Sequence, residues 1–234
     1  MRLCCTALIL MALGAFTAPS AAQERPTSLS LFGSYTTSSK VFYRTADPDE
    51  FLRSQFFPLE DILSAGIDLR RTLPPGNLQL GLSAELISRS TESAVPYGTL
   101  SVPVTDGLTA VPVEGTGYFF IPVGNEEIRV FMGGGVGLYF GERRYTYAGT
   151  SAEVADRTTG FGIHVLSGME WYCSPVLSVR GQLKFRDVQF ETVNRFARSS
   201  ATYQGTAVPL PAEPLRSRVN IDGMHLAVGL AVHF

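Results

Sequence analysis

The chain is short of cysteine, charge and histidine, and each shortage excludes something. Two of its three cysteines, Cys4 and Cys5, lie among the first residues, so the body of the chain carries Cys173 alone. One thiol forms no intramolecular disulfide, even on an export route to oxidising space. Charged residues make up only 17% of the sequence and form no basic cluster, which argues against a nucleic-acid partner. The histidines are His164, His225 and His233, without H-E-x-x-H or H-x-x-E-H spacing. No metal site and no cofactor are expected from them. Past residue 22 there is no apolar run of about 18 residues, so no transmembrane helix is expected. Helical periodicity is weak throughout.

What is present begins with a leader. Met1 and Arg2 supply a basic start, Leu8–Leu13 an apolar core, and Ser20-Ala21-Ala22 a small-residue site. This pattern predicts a secretory signal peptide over 1–22, cleaved after Ala22. Cleavage removes one arginine and no acid, taking the formal charge from −2 to −3 and leaving residues 23–234 as one domain.

Period-two alternation then recurs in eight segments: 27–38, 61–72, 77–88, 109–123, 127–140, 159–172, 176–187 and 218–234. In the last, Met224, Leu226, Val228, Leu230, Val232 and Phe234 share one face, and His225, Ala227, Gly229, Ala231 and His233 the other. A one-residue slip would exchange the faces, so register is strongly specified. Three connections are tight (73–77, 123–127, 173–176) and carry Pro, Gly and Asn. Four are long (40–58, 89–107, 142–157, 189–216). Short and long alternate strictly, which in an up-and-down barrel puts all long connections at one rim. The stretch 89–107 leaves room for an extra hairpin, so a ten-strand count stays open beside eight.

Periodicity does not say which face points out. A soluble lipocalin-like barrel would bury the apolar face; an outer-membrane barrel shows it to lipid. The apolar face is nearly free of charge over strands long enough to cross the apolar band. Aromatics (Tyr35, Trp171, Tyr172, Phe185, Phe234) fall near strand ends, the opposite face mixes Gly and Ala with charges of both signs, and the chain carries an export signal. These features favour an all-β, eight-stranded antiparallel up-and-down transmembrane β-barrel.

The stretches "VFMGGGVGLYFG" (130–141), "TGFGIHVLSGMEWYCSPVLSVRGQLKFRDV" (159–188) and "IDGMHLAVGLAVHF" (221–234) resemble the small outer-membrane β-barrel superfamily of Gram-negative bacteria. They are similar to its Gly-rich fifth strand, its sixth strand with the pattern G-x-G-x-H-x-x-x-G-x-E, and its terminal strand ending in Phe. The second half of the chain carries the resemblance by motif, the first half by pattern. The resemblance implies an outer-membrane location among lipids and lipopolysaccharide. It also implies that Leu230, Val232 and Phe234 form the signal read by the barrel-assembly machinery. A monomer is expected.

The best candidate for chemistry is the lumen. Glu85, Glu114, Arg129, Glu170, Arg180, Lys184 and Arg186 all fall on the inward face, where mixed charges should pair. Eight strands enclose a bore that side chains can fill. His164 and His225 also face inward, on strands separated by a neighbour; His233 falls at the short-turn rim as a polar residue. An enzyme acting on lipid A would need a nucleophile beside a base. Ser167 lies three residues from His164 and so on the opposite face, and no such motif is found. The long connections 40–57 and 192–217 mix aromatics and arginine, a composition of recognition surfaces. The leading expectation is a non-enzymatic outer-membrane protein with a filled lumen and a structural or surface-contact role. Passage of small solutes or apolar ligands is the alternative, and a lipid-A-modifying enzyme the weakest.

Overall fold

A strand with one apolar face has two ways to bury its backbone groups and its side chains at once: pack against a second sheet, or curl until the ladder meets itself. This chain curls. The computed structural model describes residues 25–43, 49–124 and 127–234. The expected leader and its cleavage site lie outside the described residues.

The strands are β1 (Thr27–Phe42), β2 (Phe56–Leu73), β3 (Leu78–Tyr97), β4 (Leu100–Gly124), β5 (Ile128–Tyr147), β6 (Thr150–Ser151), β7 (Glu153–Arg157), β8 (Gly160–Ser174), β9 (Leu177–Arg195), β10 (Ser200–Tyr203), β11 (Thr206–Pro209), β12 (Leu215–Ile221) and β13 (Met224–His233), with one helical turn at Glu50–Arg53. Eight staves form a ring in which β1, β2, β3, β4, β5, β8 and β9 pair in sequence order, all antiparallel. β12 and β13 form the eighth stave, and each pairs with both β9 and β1. The seam is continued at the short-turn rim, where Thr27 and Phe234 exchange main-chain hydrogen bonds of 3.2 and 2.9 Å.

The apolar face points outward. Leu31 is 68% exposed, Leu63 72% and Val228 64%, while their neighbours Ser30, Ser64 and Ala227 turn inward. Burying a Leu or Val side chain is worth roughly 1.5–3 kcal/mol, so a continuous belt of them facing water would be untenable. The belt therefore faces lipid. Trp171, Phe234 and Phe119 ring its lower edge. Tyr172, expected among these aromatics, instead leans inward and stacks 5.0 Å from the His233 ring.

The long connections turn out to be largely strand. β3 and β4 run unbroken through 89–107 to a tight turn at Gly98 and Thr99, so this stretch neither loops nor adds staves, and the ring has eight. β5 folds back on β6 through Ala148 and Gly149, both at positive φ; β10 and β11 are joined the same way by Gln204 and Gly205. Two consecutive positive-φ residues make the primed turn that suits strand twist, and glycine fills the second place without strain.

One seam does not run the full height. The outermost β2–β3 pair is Ser64 with Ile87, although β2 extends on to Phe56 and β3 to Tyr97. Asp61, with φ of 55°, lies at this point; it and Thr37 interrupt the β1–β2 ladder without a change of register, and beyond them β2 pairs with β1 alone.

Close strand approach constrains the Gly-rich fifth strand. A Cβ at Gly135 would lie 2.0 Å from the Gly115 carbonyl oxygen, whereas one at Gly115 would meet nothing within 4 Å. Gly135→Val is therefore expected to abolish the compact, heat-modifiable gel species of the folded barrel, and Gly115→Ala to retain it. Equal yields of that species from the two variants would contradict the close-approach account.

Candidate functional site

The inward face of the staves fills the bore in tiers, each set by residue parity along its strands. At the short-turn rim, Glu170 on β8 accepts hydrogen bonds from Arg180 (2.7 Å) and Ser178 (2.6 Å) on β9, and Arg180 reaches Ser28 on β1 (2.6 Å). His233 on β13 lies 2.8 Å from Ser178 and 3.2 Å from Glu170. This tier ties four staves together across the β1–β13 seam. Serine, histidine and a carboxylate meet here, but Ser178 and Glu170 contact the same ring nitrogen, Nε2. A nucleophile–base–orienter relay needs the serine and the acid on opposite ring nitrogens. Ser178 and Glu170 are also fully buried. The cluster is a structural lock.

Above it, Asp68 and Arg70 on β2 pair at 2.6 Å, and Arg70 donates to Gln182 on β9 across the bore at 3.0 Å. The Arg70 guanidinium lies 3.7 Å from the centre of the Tyr118 ring, a cation–π contact in a desolvated place.

The central tier is the most connected. Glu85 on β3 accepts hydrogen bonds from Ser34 (2.8 Å), Ser64 (2.5 Å) and Arg186 (3.0 Å), and its Oε1 is 3.1 Å from His225 Nε2. Glu114 on β4 pairs with Lys184, accepts from the Tyr139 hydroxyl and lies 3.8 Å from Arg186. His164 is hydrogen-bonded to Thr116 at 2.8 Å. Below the next layer, among the described residues, four carboxylates (Asp68, Glu85, Glu114, Glu170) face four cations (Arg70, Arg180, Lys184, Arg186), and charge balances.

An apolar layer then crosses the bore. Val41, Leu59, Ile62, Ile87, Leu108 and Val188 are buried there with Phe190. The Phe190 ring lies over Gly141, where a Cβ would come within 2.2 Å of it. Higher still, Arg143 grips both oxygens of Asp106 and reaches Ser217 at 2.6 Å. A second apolar cluster, with Val102, Phe196, Val208 and Leu210, knits the outer ends of β4, β5, β9 and the β10–β11 hairpin.

Six of the seven expected lumen residues are buried in this stack: Glu85, Glu114, Glu170, Arg180, Lys184 and Arg186. Arg129 corrects the expectation. It is opposite Glu170 in register but exposed at the short-turn rim, with its guanidinium 5.0 Å from the Tyr172 ring and 5.7 Å from the Phe120 ring. The inward face is right; the position is too close to the strand end for burial. His233, expected as a mere rim residue, is a buried partner of Glu170. Asp68, Arg70, Tyr139 and the Asp106–Arg143 pair were not picked out from sequence. Leu230, Val232 and Phe234 face outward along β13 and its end. Among the described residues, no group of three or more His, Cys, Asp or Glu is placed to hold a metal ion.

A closed ring with an apolar belt outside and paired charge inside is a transmembrane β-barrel, the architecture of bacterial outer membranes. The outer membrane protein OprG of Pseudomonas aeruginosa has a solved structure that is similar at 10% identity over 89% of this chain and 96% of that one, with a TM-score of 0.59. Neisserial surface protein A (10% identity, 89% and 97%, TM-score 0.48) and the outer membrane protease OmpT of Escherichia coli (10%, 92% and 99%, 0.42) are also similar. The chain thus has the fold of the small outer-membrane β-barrel proteins. No protein-family model and no curated protein matches the sequence.

Glu85 is the hub of the central tier. Removing one member of a buried ion pair typically costs about 3–5 kcal/mol, because its partner stays buried and unpaired. Glu85→Ala should therefore lower the urea midpoint of the barrel refolded in lipid vesicles far more than Glu60→Ala on the outside of β2. Adding Arg186→Met to Glu85→Ala should recover part of that loss. A Glu85→Ala midpoint equal to wild type would remove the hub role.

Proposed function

We propose that this chain is a non-enzymatic outer-membrane protein whose barrel is a plugged scaffold and whose outer, lipid-free half is the working surface. The observation that carries this reading is the filled bore: charge-balanced tiers below, the Phe190 layer across the middle, and the Arg143–Asp106 pair above. An ion following the axis would have to cross a dry apolar layer, at a cost far beyond thermal energy. Against this bore, half of β3, Ser88–Tyr97, stands clear of the β2 wall and presents exposed side chains. Matter spent on a tall outer sheet, with nothing able to pass beneath it, suits contact at the cell surface.

A second reading rests on the parted β2–β3 wall. The gap opens beside Leu59, Ile62 and Ile87 of the apolar layer, and an apolar molecule could move sideways there between the bore and the lipid. The two readings differ in what crosses the membrane. Purified barrel in planar bilayers should show no steady unitary conductance, and a stable conducting level would overturn the plugged scaffold. Vesicles carrying the barrel should transfer a fluorescent fatty acid no faster than lipid-only vesicles. Saturable transfer, lost when Ile87 is changed to Lys, would favour the second reading instead.

A further inference from the structure

We propose that the outer half of β3, Ser88–Tyr97, is a strand-addition site that takes an extended segment of a partner polypeptide along its free edge. This deepens the surface-contact reading and rests on it. Ser88–Tyr97 pairs with β4 on one side only, from Ser88 opposite Thr109 to Tyr97 opposite Leu100. On its other side the ladder with β2 stops at Ile87. No hydrogen bond from another element to this free side is present among the described residues. The stretch is exposed on both faces except at Thr91, which is half-buried.

Such an edge presents a row of main-chain donors and acceptors at strand spacing. The complement to that row is another peptide backbone; a lipid or a sugar does not reproduce it. Natural sheets guard exposed edges with prolines, bulges and lysines. The two sides of this gap are guarded unequally. β2 carries Pro58, Glu60 and the irregular, positive-φ Asp61 along its free stretch. β3 reads Ser88-Arg89-Ser90-Thr91-Glu92-Ser93-Ala94-Val95 before its first proline, Pro96, near the tip. It has no bulge and no lysine there. β2 is built to refuse a strand and β3 to accept one.

Side chains narrow the partner. Arg89 and Glu92 are the only charges on the free stretch. An antiparallel partner satisfies both with a basic residue opposite Glu92 and, three residues later, an acid opposite Arg89, separated by small β-formers. A second copy in the same membrane does not fit. Barrel strands tilt about 35–45° from the membrane normal, so two edges related by a two-fold axis along that normal cross steeply instead of running side by side.

The test uses the full chain, folded in lipid nanodiscs, and the capped peptide "TVKTSEVT". Bound antiparallel, it sets Lys against Glu92 and Glu against Arg89. Amide exchange at alternate positions between Ser88 and Ala94 should slow about tenfold or more at saturating peptide. The charge-swapped peptide "TVETSKVT" should protect less, and a double variant, R89E with E92R, should reverse that preference. A peptide N-methylated at alternate residues should give no protection. No slowing with the matched peptide, or equal slowing with its N-methylated form, overturns the proposal. A barrel silent in bilayers yet unprotected by peptide would remove the edge and leave the surface reading. Protection in a barrel that conducts would keep the edge and remove the plugged scaffold.

Discussion

Lipid offers no hydrogen bonds, and that constraint governs every part of this molecule. Each unsatisfied backbone group in the hydrocarbon costs several kcal/mol, so a sheet in that medium has to meet its own edge. Here β13 does so against β1, with nine consecutive residue pairs from Ser28–His233 to Thr36–His225. Closure dictates which side of each strand is wet. The outside must match the lipid, so most polar side chains in the belt's height are sent inward, Ser167 being an exception. A bore of eight staves is narrow, and the charges sent there have no room for bulk water.

Crowding explains the composition of the interior. Isolated buried charges would be prohibitive, so carboxylates and cations come in equal number and sit within bonding distance of one another in the bore. Where the partners lie on different staves, as in three of these four pairs, the pair also works as a strut. Arg186 on β9 holds Glu85 on β3, and Arg180 on β9 holds Ser28 on β1. The rim tier shows the same economy. His233 and Ser178 crowd one carboxylate, which stiffens the seam and leaves no free nitrogen arrangement for a nucleophilic relay.

How much of this is legible in sequence follows from where lipid is. Within the belt the two faces meet opposite media, alternation is sharp, and strand, face and register can be read directly; the eight staves and six of the lumen charges follow from it. Above the belt both faces are wet. Ser88–Tyr97 has no apolar side to reveal it as strand, and it looks like a loop in sequence although it is paired throughout with β4. Depth is equally hidden. Parity places Arg129 inward but does not say that Ile128–Arg129 is the very start of β5, where the bore opens and Phe120 and Tyr172 offer rings to stack on. The partners of Arg70 were missed for a different reason: Tyr118 and Gln182 are distant in sequence and meet only through ring closure.

The packed interior also accounts for the parted wall. The layer of Leu59, Ile62, Ile87, Leu108 and Phe190 continues the plug up to the height where β2 and β3 separate, and Arg143 with Asp106 continues it beyond. A hollow barrel could pinch at this level and draw the two strands together. A filled one resists, because closing the gap would compress side chains already at van der Waals contact, and interiors of this density deform little. The free edge of β3 is thus held open by the plug beneath it. On the plugged-scaffold reading, the packing that would close the bore to solutes is also what keeps an unpaired strand on display.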